Sequence, residues 1–250
     1  MKKVSAKKHL GQHFLNNQSI AENIVNQLEF KNKNILEIGP GMGILTQFLY
    51  KQEVNLQVIE IDKESVFYLR LNYPELKIIE GDFLKLNLQE LYKNKISVIG
   101  NFPYNISSQI LFKAFENRDK VTELVGMFQK EVAERVASVK GKKKGILSVL
   151  LQAFYDIEYC FTVEENVFTP PPKVKSGVIK LVRNKRKKLD CDEEKFIQIV
   201  KSGYNQRRKT LRNSLKPFTL KTNKEIEILL QKRAEQLDVE DFIIITKSVQ

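Results

Sequence analysis

Three apolar runs in this chain end in glycines or carboxylates of the kinds that hold a nucleoside. Glu37-Ile-Gly39-Pro-Gly41-Met-Gly43 closes the first run and opens a helical pattern. Glycines there let the chain turn sharply and let a ligand approach the backbone. Glu60 ends the next run, about 20 residues further on, where a carboxylate accepts hydrogen bonds from a ribose diol. Asp82, in Glu80-Gly81-Asp82-Phe83, ends the third and has the chemistry to read an adenine amine. Each carboxylate alone is equally well a helix N-cap, and one glycine-rich turn alone merely joins a strand to a helix. Three strand ends in series point to a nucleoside cofactor. A fourth run ends in Asn101-Phe102-Pro103-Tyr104, which by itself reads as a proline turn with an Asn cap.

The elements that would position these residues alternate. Ile20, Ile24 and Leu28 recur at helical spacing and predict a helix over 18–29. Strands are expected at 35–38, 56–61, 77–79, 96–99 and 123–128. Helices are expected after the glycines through Tyr50, through Leu71, and at 108–115, 130–139 and 147–154. Residues 155–163 and 178–182 read as a closing antiparallel pair. Strands alternating with helices imply βαβ units and a parallel sheet, with ligands at the carboxyl ends of the strands. After Arg183 strand signals stop. Lys185–Lys188 is a charged linker, and three helices follow, marked by Phe196/Ile199/Val200, Leu211/Leu215 and Ile226/Leu229/Leu230. The expected division is therefore 1–183 and 184–250.

Composition narrows the function classes. The 250 residues, 42% hydrophobic and 29% charged, are those of an ordinary globular protein. No stretch approaches the roughly 18 apolar residues of a membrane span, and the basic start MKKVSAKKHL has no apolar segment after it, so a cytoplasmic protein is expected. Cys160 and Cys191 lack a paired spacing, which suits a reducing compartment. With only His9 and His13 as histidines, no metal site is expected. The net charge of +12 is localised: Lys173–Lys216 carries 15 Lys/Arg against 4 Asp/Glu. Many such runs are only solvated surface. A polyanionic partner, most simply nucleic acid, is the sharper reading. Membrane association is disfavoured, because the run lacks an aromatic amphipathic face.

The spacing Glu-x-Gly-x-Gly-x-Gly, followed by Leu45 and Thr46, differs from the Gly-x-Gly-x-x-Gly of dinucleotide sites. It resembles motif I of S-adenosylmethionine-dependent methyltransferases, and Glu60 and Asp82 resemble the acidic residues of the next two motifs. NAD stays as the alternative cofactor. Asn101-Phe102-Pro103-Tyr104 resembles the Asn/Asp-Pro-Pro-Tyr/Phe motif of amino-methyltransferases, in the form used on ribosomal RNA adenines. The exocyclic amine of adenine is a poor nucleophile, because its lone pair is delocalised into the ring. An Asn side-chain oxygen and the carbonyl of Phe102 or Pro103 would accept its two N–H bonds and favour a pyramidal nitrogen. Acceptors placed where positive charge develops stabilise the transition state. Tyr104 would stack on the flipped base. No metal or covalent intermediate is needed.

Three further segments resemble the ribosomal RNA adenine N6,N6-dimethyltransferase family, in its bacterial small-subunit branch: Lys8-His-Leu10-Gly11-Gln12-His13-Phe14-Leu15, Val167-Phe168-Thr-Pro170-Pro-Pro172-Lys173-Val174-Lys-Ser176 and Asn205-Gln206-Arg207-Arg208-Lys209-Thr210-Leu211-Arg212-Asn213. The resemblance implies an α/β, Rossmann-like S-adenosylmethionine-dependent methyltransferase fold with a small all-helical C-terminal domain. It implies S-adenosyl-L-methionine as cofactor. Its substrate would be two adjacent adenosines near the 3′ end of 16S ribosomal RNA in the assembling 30S subunit, and a monomer is expected. His13 and Leu15 would border the methionine end of the cofactor, with Gly39, Gly41, Glu60, Asp82 and Asn101 completing its site. Asn101, Pro103 and Tyr104 would serve the base, Phe168 would form its second stacking face, and Pro170–Pro172 would stiffen that loop. Arg207, Arg208, Lys209 and Arg212 would grip RNA.

The family commonly has Asn at the position of His13, often Leu at Phe102, and Asp at Lys175. Imidazole can still donate a hydrogen bond, and Phe102 keeps the backbone carbonyl. The alternatives are the 23S ribosomal RNA adenine methylase of the macrolide-resistance type, a DNA adenine methyltransferase, and a ribosome-assembly factor acting mainly by binding.

Overall fold

The structure is a computed structural model that describes residues 4–250; Met1–Lys3, the start of the basic N-terminal stretch, lie outside the described residues. The strands, in chain order, are β1 (Phe14–Leu15), β2 (Asn34–Ile38), β3 (Asn55–Glu60), β4 (Lys77–Glu80), β5 (Ile96–Asn101), β6 (Val121–Gln129), β7 (Tyr155–Val163), β8 (Phe168–Thr169) and β9 (Ser176–Arg183). The helices are α1 (Gln18–Val25), α2 (Thr46–Leu49), α3 (Lys63–Asn72), α4 (Leu88–Leu91), α5 (Ser107–Glu116), α6 (Lys130–Ala137), α7 (Ile146–Gln152), α8 (Glu193–Asn205), α9 (Leu211–Ser214), α10 (Lys224–Gln231) and α11 (Val239–Lys247).

Seven strands form one sheet in the order β4-β3-β2-β5-β6-β9-β7, and β1 and β8 form a separate antiparallel pair. The ladders from β4 through to β6 are parallel, and β9 pairs antiparallel with β6. Central strands covered on both faces must be apolar almost throughout. Accordingly β2, β5 and β6 are buried nearly end to end, while edge strand β4 is not. The chain builds outward from β2 to β4, then returns to the other side of β2 with β5. At this reversal no crossover covers the carboxyl ends of β2 and β5, and a crevice opens there.

The chain divides into two compact units, one gathering residues up to Ala133 with Ile157–Arg183, the other Glu134–Asp156 with Asn184–Gln250. This revises the expected division at 183/184, because α7, on a segment assigned to the first domain, packs on α8 and α11. Val149, Leu150 and Leu151 of α7 and Phe196, Ile199 and Val200 of α8 are all buried. The buried Lys144 donates from Nζ to the Leu237 carbonyl at 2.7 Å, tying the turn before α7 to the approach to α11. Helix α11 is a fourth helix beyond the three expected after Arg183. Its Phe242-Ile243-Ile244-Ile245 run is contiguous and rich in β-branched isoleucine, which hides helical period. A capping box between Asp238 and Asp241 starts it, and Phe242, Ile243 and Ile245 are buried.

Phe102, at the end of β5, is 1% exposed and packs against Phe128 with ring centroids 5.0 Å apart. Gly126 makes room for it. A Cβ at Gly126 would lie 2.1 Å from Cε2 of Phe102 and 2.8 Å from Cε2 of Phe128. Gly126→Ala is expected to destabilise the protein by about 1–3 kcal/mol through overpacking. Chemical denaturation checks this; unchanged stability would mean that the ring is not confined.

Candidate active site

The crevice is a solvent-open cleft with a volume of about 180 Å³, lined from the carboxyl ends of four parallel strands. Ile38, Gly39 and Gly41 come from β2 and its turn, Ile59, Glu60 and Ile61 from β3, and Gly81, Asp82, Phe83 and Leu84 from beyond β4. Asn101 to Ile106 follow from β5. The N-terminal segment from His9 to Phe14 forms a further wall. Glycine is required where that segment meets the glycine-rich turn. Gly41 has φ +56°, and a Cβ on it would lie 2.8 Å from the ring of Phe14. At Gly39, by contrast, a Cβ would meet nothing within 4 Å, so its backbone borders open space.

Glu60 is 4% exposed, and each of its carboxylate oxygens accepts one backbone N–H, from Gly41 at 3.0 Å and from Asp62 at 2.9 Å. A carboxylate offers about four lone-pair sites, so acceptor capacity remains for a diol. Burial, and to a lesser degree the Asp62 charge, raises the pKa of Glu60, opposed by the backbone N–H groups of Asp62, Gly41 and Ile61. Asp82 caps the turn that follows it, with Oδ1 accepting from Leu84 N at 2.9 Å. Ile61, 50% exposed, and Phe83 add apolar surface beside these carboxylates. Lys113 fixes that turn: Nζ donates to the carbonyls of Leu84 and Leu86 at 2.8 and 2.6 Å and lies 5.2 Å from the Phe83 ring centroid. Neither Ile61 nor Lys113 stands out in the sequence; an apolar residue directly after an acidic strand end was the only signal for the first.

Asn101 Nδ2 donates to the backbone carbonyl of His13 at 3.0 Å. A carbonyl only accepts, so this contact fixes which end of the carboxamide faces it and turns Oδ1 away as a remaining acceptor. The backbone beyond is a tight turn in which Ile106 N donates to the Pro103 carbonyl at 3.2 Å. The Tyr104 carbonyl accepts from Ser107 Oγ at 3.0 Å. Of the two backbone acceptors considered for an amine, Phe102's carbonyl is therefore the freer. The Tyr104 hydroxyl lies 2.6 Å from Ser176 Oγ, and its ring packs against His13.

Two expected site residues sit deeper. Leu15 is 4% exposed and borders a small recess with Glu37, Gly39, Gly41 and Asn101. Phe168, expected on the second face of a base, is not among the residues lining the cleft. It is 3% exposed and belongs to the hydrophobic core with Leu15, Ile24 and Val178. Its strand pairs with β1, Leu15 opposite Phe168, and that register directs the ring inward. In the second unit, Arg207, Arg208, Lys209 and Arg212 are all exposed. Arg207 lies 3.8 Å from Glu235 and Arg212 pairs with Glu227.

Behind the glycine-rich turn, Glu37 is 1% exposed and accepts from Thr46 Oγ1 at 2.7 Å. Burial pushes its pKa up to about 8, against the opposing Thr46 bond. The native state then holds a proton, between about pH 4.5 and pH 8, that the unfolded chain has released. Stability is therefore lost as pH rises through that window. Glu37→Gln keeps an acceptor for Thr46 and carries no charge. It is expected to flatten the decline between pH 5 and pH 8.5 by something on the order of a few kcal/mol. Thermal denaturation of the cofactor-free proteins across this range checks it; parallel curves would contradict the assignment.

The family model for ribosomal RNA adenine dimethylase matches residues 3–250. The ribosomal RNA small subunit methyltransferase A of Flavobacterium johnsoniae is 58% identical over 255 residues, covering 100% of this chain and 98% of that one. A dimethyladenosine transferase from Plasmodium falciparum superposes with a TM-score of 0.79 at 26% identity, over 93% of this chain and 96% of that chain. The 23S rRNA methyltransferase ErmE superposes at 0.75 with 21% identity, over 94% of this chain and 99% of that chain, which shows a shared fold alone. With glycine-rich turn, acidic strand ends and Asn101 all gathered at one crevice, the chain belongs to the ribosomal RNA adenine dimethylase family.

Proposed function

We propose that this protein transfers methyl groups from S-adenosylmethionine to N6 of two adjacent adenosines near the 3′ end of 16S ribosomal RNA, acting as a cytoplasmic monomer on the assembling small subunit. One observation carries the reading: the Asn101 carboxamide is held by its nitrogen, with Oδ1 and the nearby Phe102 carbonyl left to accept an amine's two N–H bonds. Across the same cleft the residues fit the cofactor. Gly39 leaves open space at its backbone, Glu60 keeps lone pairs for a ribose diol, and Asp82 has one oxygen not committed to its cap. When bound, S-adenosylmethionine supplies a methyl group on a sulfonium centre.

The chain's own residues do the rest. Asn101 Oδ1 and Phe102 O draw the amine nitrogen toward a pyramidal shape and stabilise the positive charge it gains. Pro103 holds the turn, and Tyr104, tethered through Ser176, offers a ring for the base to stack on. In each transfer an N–C bond forms as the methyl–sulfur bond breaks, and one N–H proton is lost to solvent; after the first, the amine keeps one N–H, so one acceptor bond survives for the second, and the dimethylated product is reachable in the same pocket. Arg207, Arg208, Lys209 and Arg212 hold the RNA backbone. The small-subunit target is favoured over the large-subunit one by the 58% identity to a small-subunit methyltransferase, against 21% to ErmE.

The test uses small subunits from a strain lacking the modification, labelled cofactor, and nucleoside mass spectrometry. Dimethyladenosine is expected to dominate at completion, with large-subunit RNA a poor acceptor. Asn101→Ala is expected to slow single-turnover transfer by ~10²–10³-fold with cofactor binding little changed. Label confined to the large subunit, or full activity of Asn101→Ala, would overturn the reading.

Replacing Arg207, Arg208 and Lys209 together with Gln should weaken RNA binding and leave cofactor affinity intact. If each meets one phosphate, the slope of log K against log salt becomes shallower by about 2 units. An unchanged slope would place the RNA elsewhere.

A further inference from the structure

The lysines of this chain are not confined to its C-terminal unit. Lys31-Asn-Lys33-Asn34 leads into β2, Lys93-Asn94-Lys95 precedes β5, and Asp119-Lys120 precedes β6. In the sheet β2, β5 and β6 lie side by side and parallel, so their amino ends, and these three loops, share one edge. It is the edge opposite the cleft. There the loops border an open groove of about 600 Å³. Lys31, Lys33, Lys93, Lys95 and Lys120 line it together with three asparagines, and Asp119 is the one carboxylate among the lining residues.

Hydrogen bonds brace the loops against one another. Lys120 Nζ donates to the Lys93 carbonyl at 3.0 Å, Asn34 Nδ2 to the Lys95 carbonyl at 3.4 Å, and Ile96 N to the Lys120 carbonyl at 2.9 Å. Lys33 Nζ reaches the Glu53 carbonyl at 3.2 Å, and Lys31 pairs with Glu29. Lys93 and Lys95 are exposed, and their ammonium groups have no hydrogen-bond or ion-pair partner among the described residues. Like charges gathered on a braced surface repel one another in the free protein, and an anionic partner relieves that repulsion. The lining says which anion. It holds no apolar or aromatic side chain, whereas the centre of a protein–protein interface is apolar and poor in lysine. Its cations come from three separate loops around an open groove, which suits a run of phosphates better than a single one. Lysine and asparagine are side chains that position a nucleic-acid backbone.

We propose that this groove is a second RNA-binding surface, which holds the backbone of a stretch of ribosomal RNA other than the one whose adenine enters the cleft. The proposal rests on the ribosomal RNA substrate given above. Strand β5, six residues long, separates groove from cleft by about 20 Å, so the two sites take different stretches.

The experiment combines Lys33→Gln, Lys93→Gln and Lys95→Gln in one variant and keeps Lys120 for its bond to the Lys93 carbonyl. Binding to small subunits lacking the modification is measured across salt concentrations. Cofactor Kd by calorimetry and the single-turnover rate at saturating particle are read beside it. If each lysine meets one phosphate, the slope of log K against log salt becomes shallower by about 2 units, and affinity at moderate salt weakens by about tenfold or more. Cofactor Kd and the saturated rate are expected to stay within about twofold of the wild type, since only binding common to ground and transition states is lost. A photoreactive residue placed at position 94 is expected to cross-link to RNA. The proposal is overturned by an unchanged slope and affinity, or by cross-links from position 94 to ribosomal protein alone. If the triple variant fails to fold, Lys93→Gln with Lys95→Gln carries the same comparison, with a slope change of about 1 unit. Wild-type protein that neither binds nor methylates the particle would instead refute the reading of the reaction, which keeps the two failures apart.

Discussion

A parallel sheet built outward in both directions from its middle has one place where neighbouring strands send their chains opposite ways. Here that place is between β2 and β5, and the groups that line the cleft depend on it. The constraint comes from backbone geometry: strands β2 to β6 are parallel, so their carboxyl ends lie on one edge. Glu60, Asp82 and Asn101 reach one cleft because each is at, or just past, the end of its strand. Burial of the strands on both faces keeps that edge rigid, and the turns beyond it need only short reaches.

Within the cleft, chemistry is divided between charge and neutral dipoles. The carboxylates lie on the β2–β3–β4 side, where a cationic cofactor with a diol has use for them. The β5 side offers a carboxamide and backbone carbonyls, acceptors that carry no net charge. A neutral acceptor suits an amine that must be activated without first being protonated. The buried Glu37, held largely neutral by its surroundings at moderate pH, keeps a further negative charge from accumulating next to Glu60. Asp62 shows the opposite solution. Burial raises its pKa, but Lys7, Ser65 and Gln12 outweigh this and hold it low. The same contacts fasten the N-terminal wall to the start of α3.

The sequence makes the cleft legible because each of its main residues ends an apolar run, and position at a strand end decides what faces the crevice. Phe168 shows where that logic stops. A motif places the residue in a loop, but only the pairing of its strand with β1 decides which way the ring points, and the partner lies far off in sequence. Helix α11 is hidden for a different reason. Four contiguous apolar residues carry no period, and the signal that starts the helix is the pair Asp238 and Asp241. Residues 134–156 carry no compositional break from what precedes them, so their grouping with the C-terminal helices follows from packing alone. Gln12 and Lys113 act through backbone carbonyls and a remote carboxylate, partners that no spacing rule reveals.

His13 Nδ1 meets the Pro170 carbonyl at 2.8 Å across 157 residues, and the ladder of β1 with β8 closes the same long loop. Closing a loop of that length costs entropy before the contacts it permits can repay it, and such non-local pairings slow folding. On a chain emerging from the ribosome, strands β2 to β5 can assemble while β8 is still unmade. The carbonyl that orients Asn101 belongs to a segment still waiting for its partner strand. The scaffold of the cleft is therefore older, in the life of each molecule, than the arrangement that makes it reactive, and activity is reserved for chains that have been synthesised past Pro170.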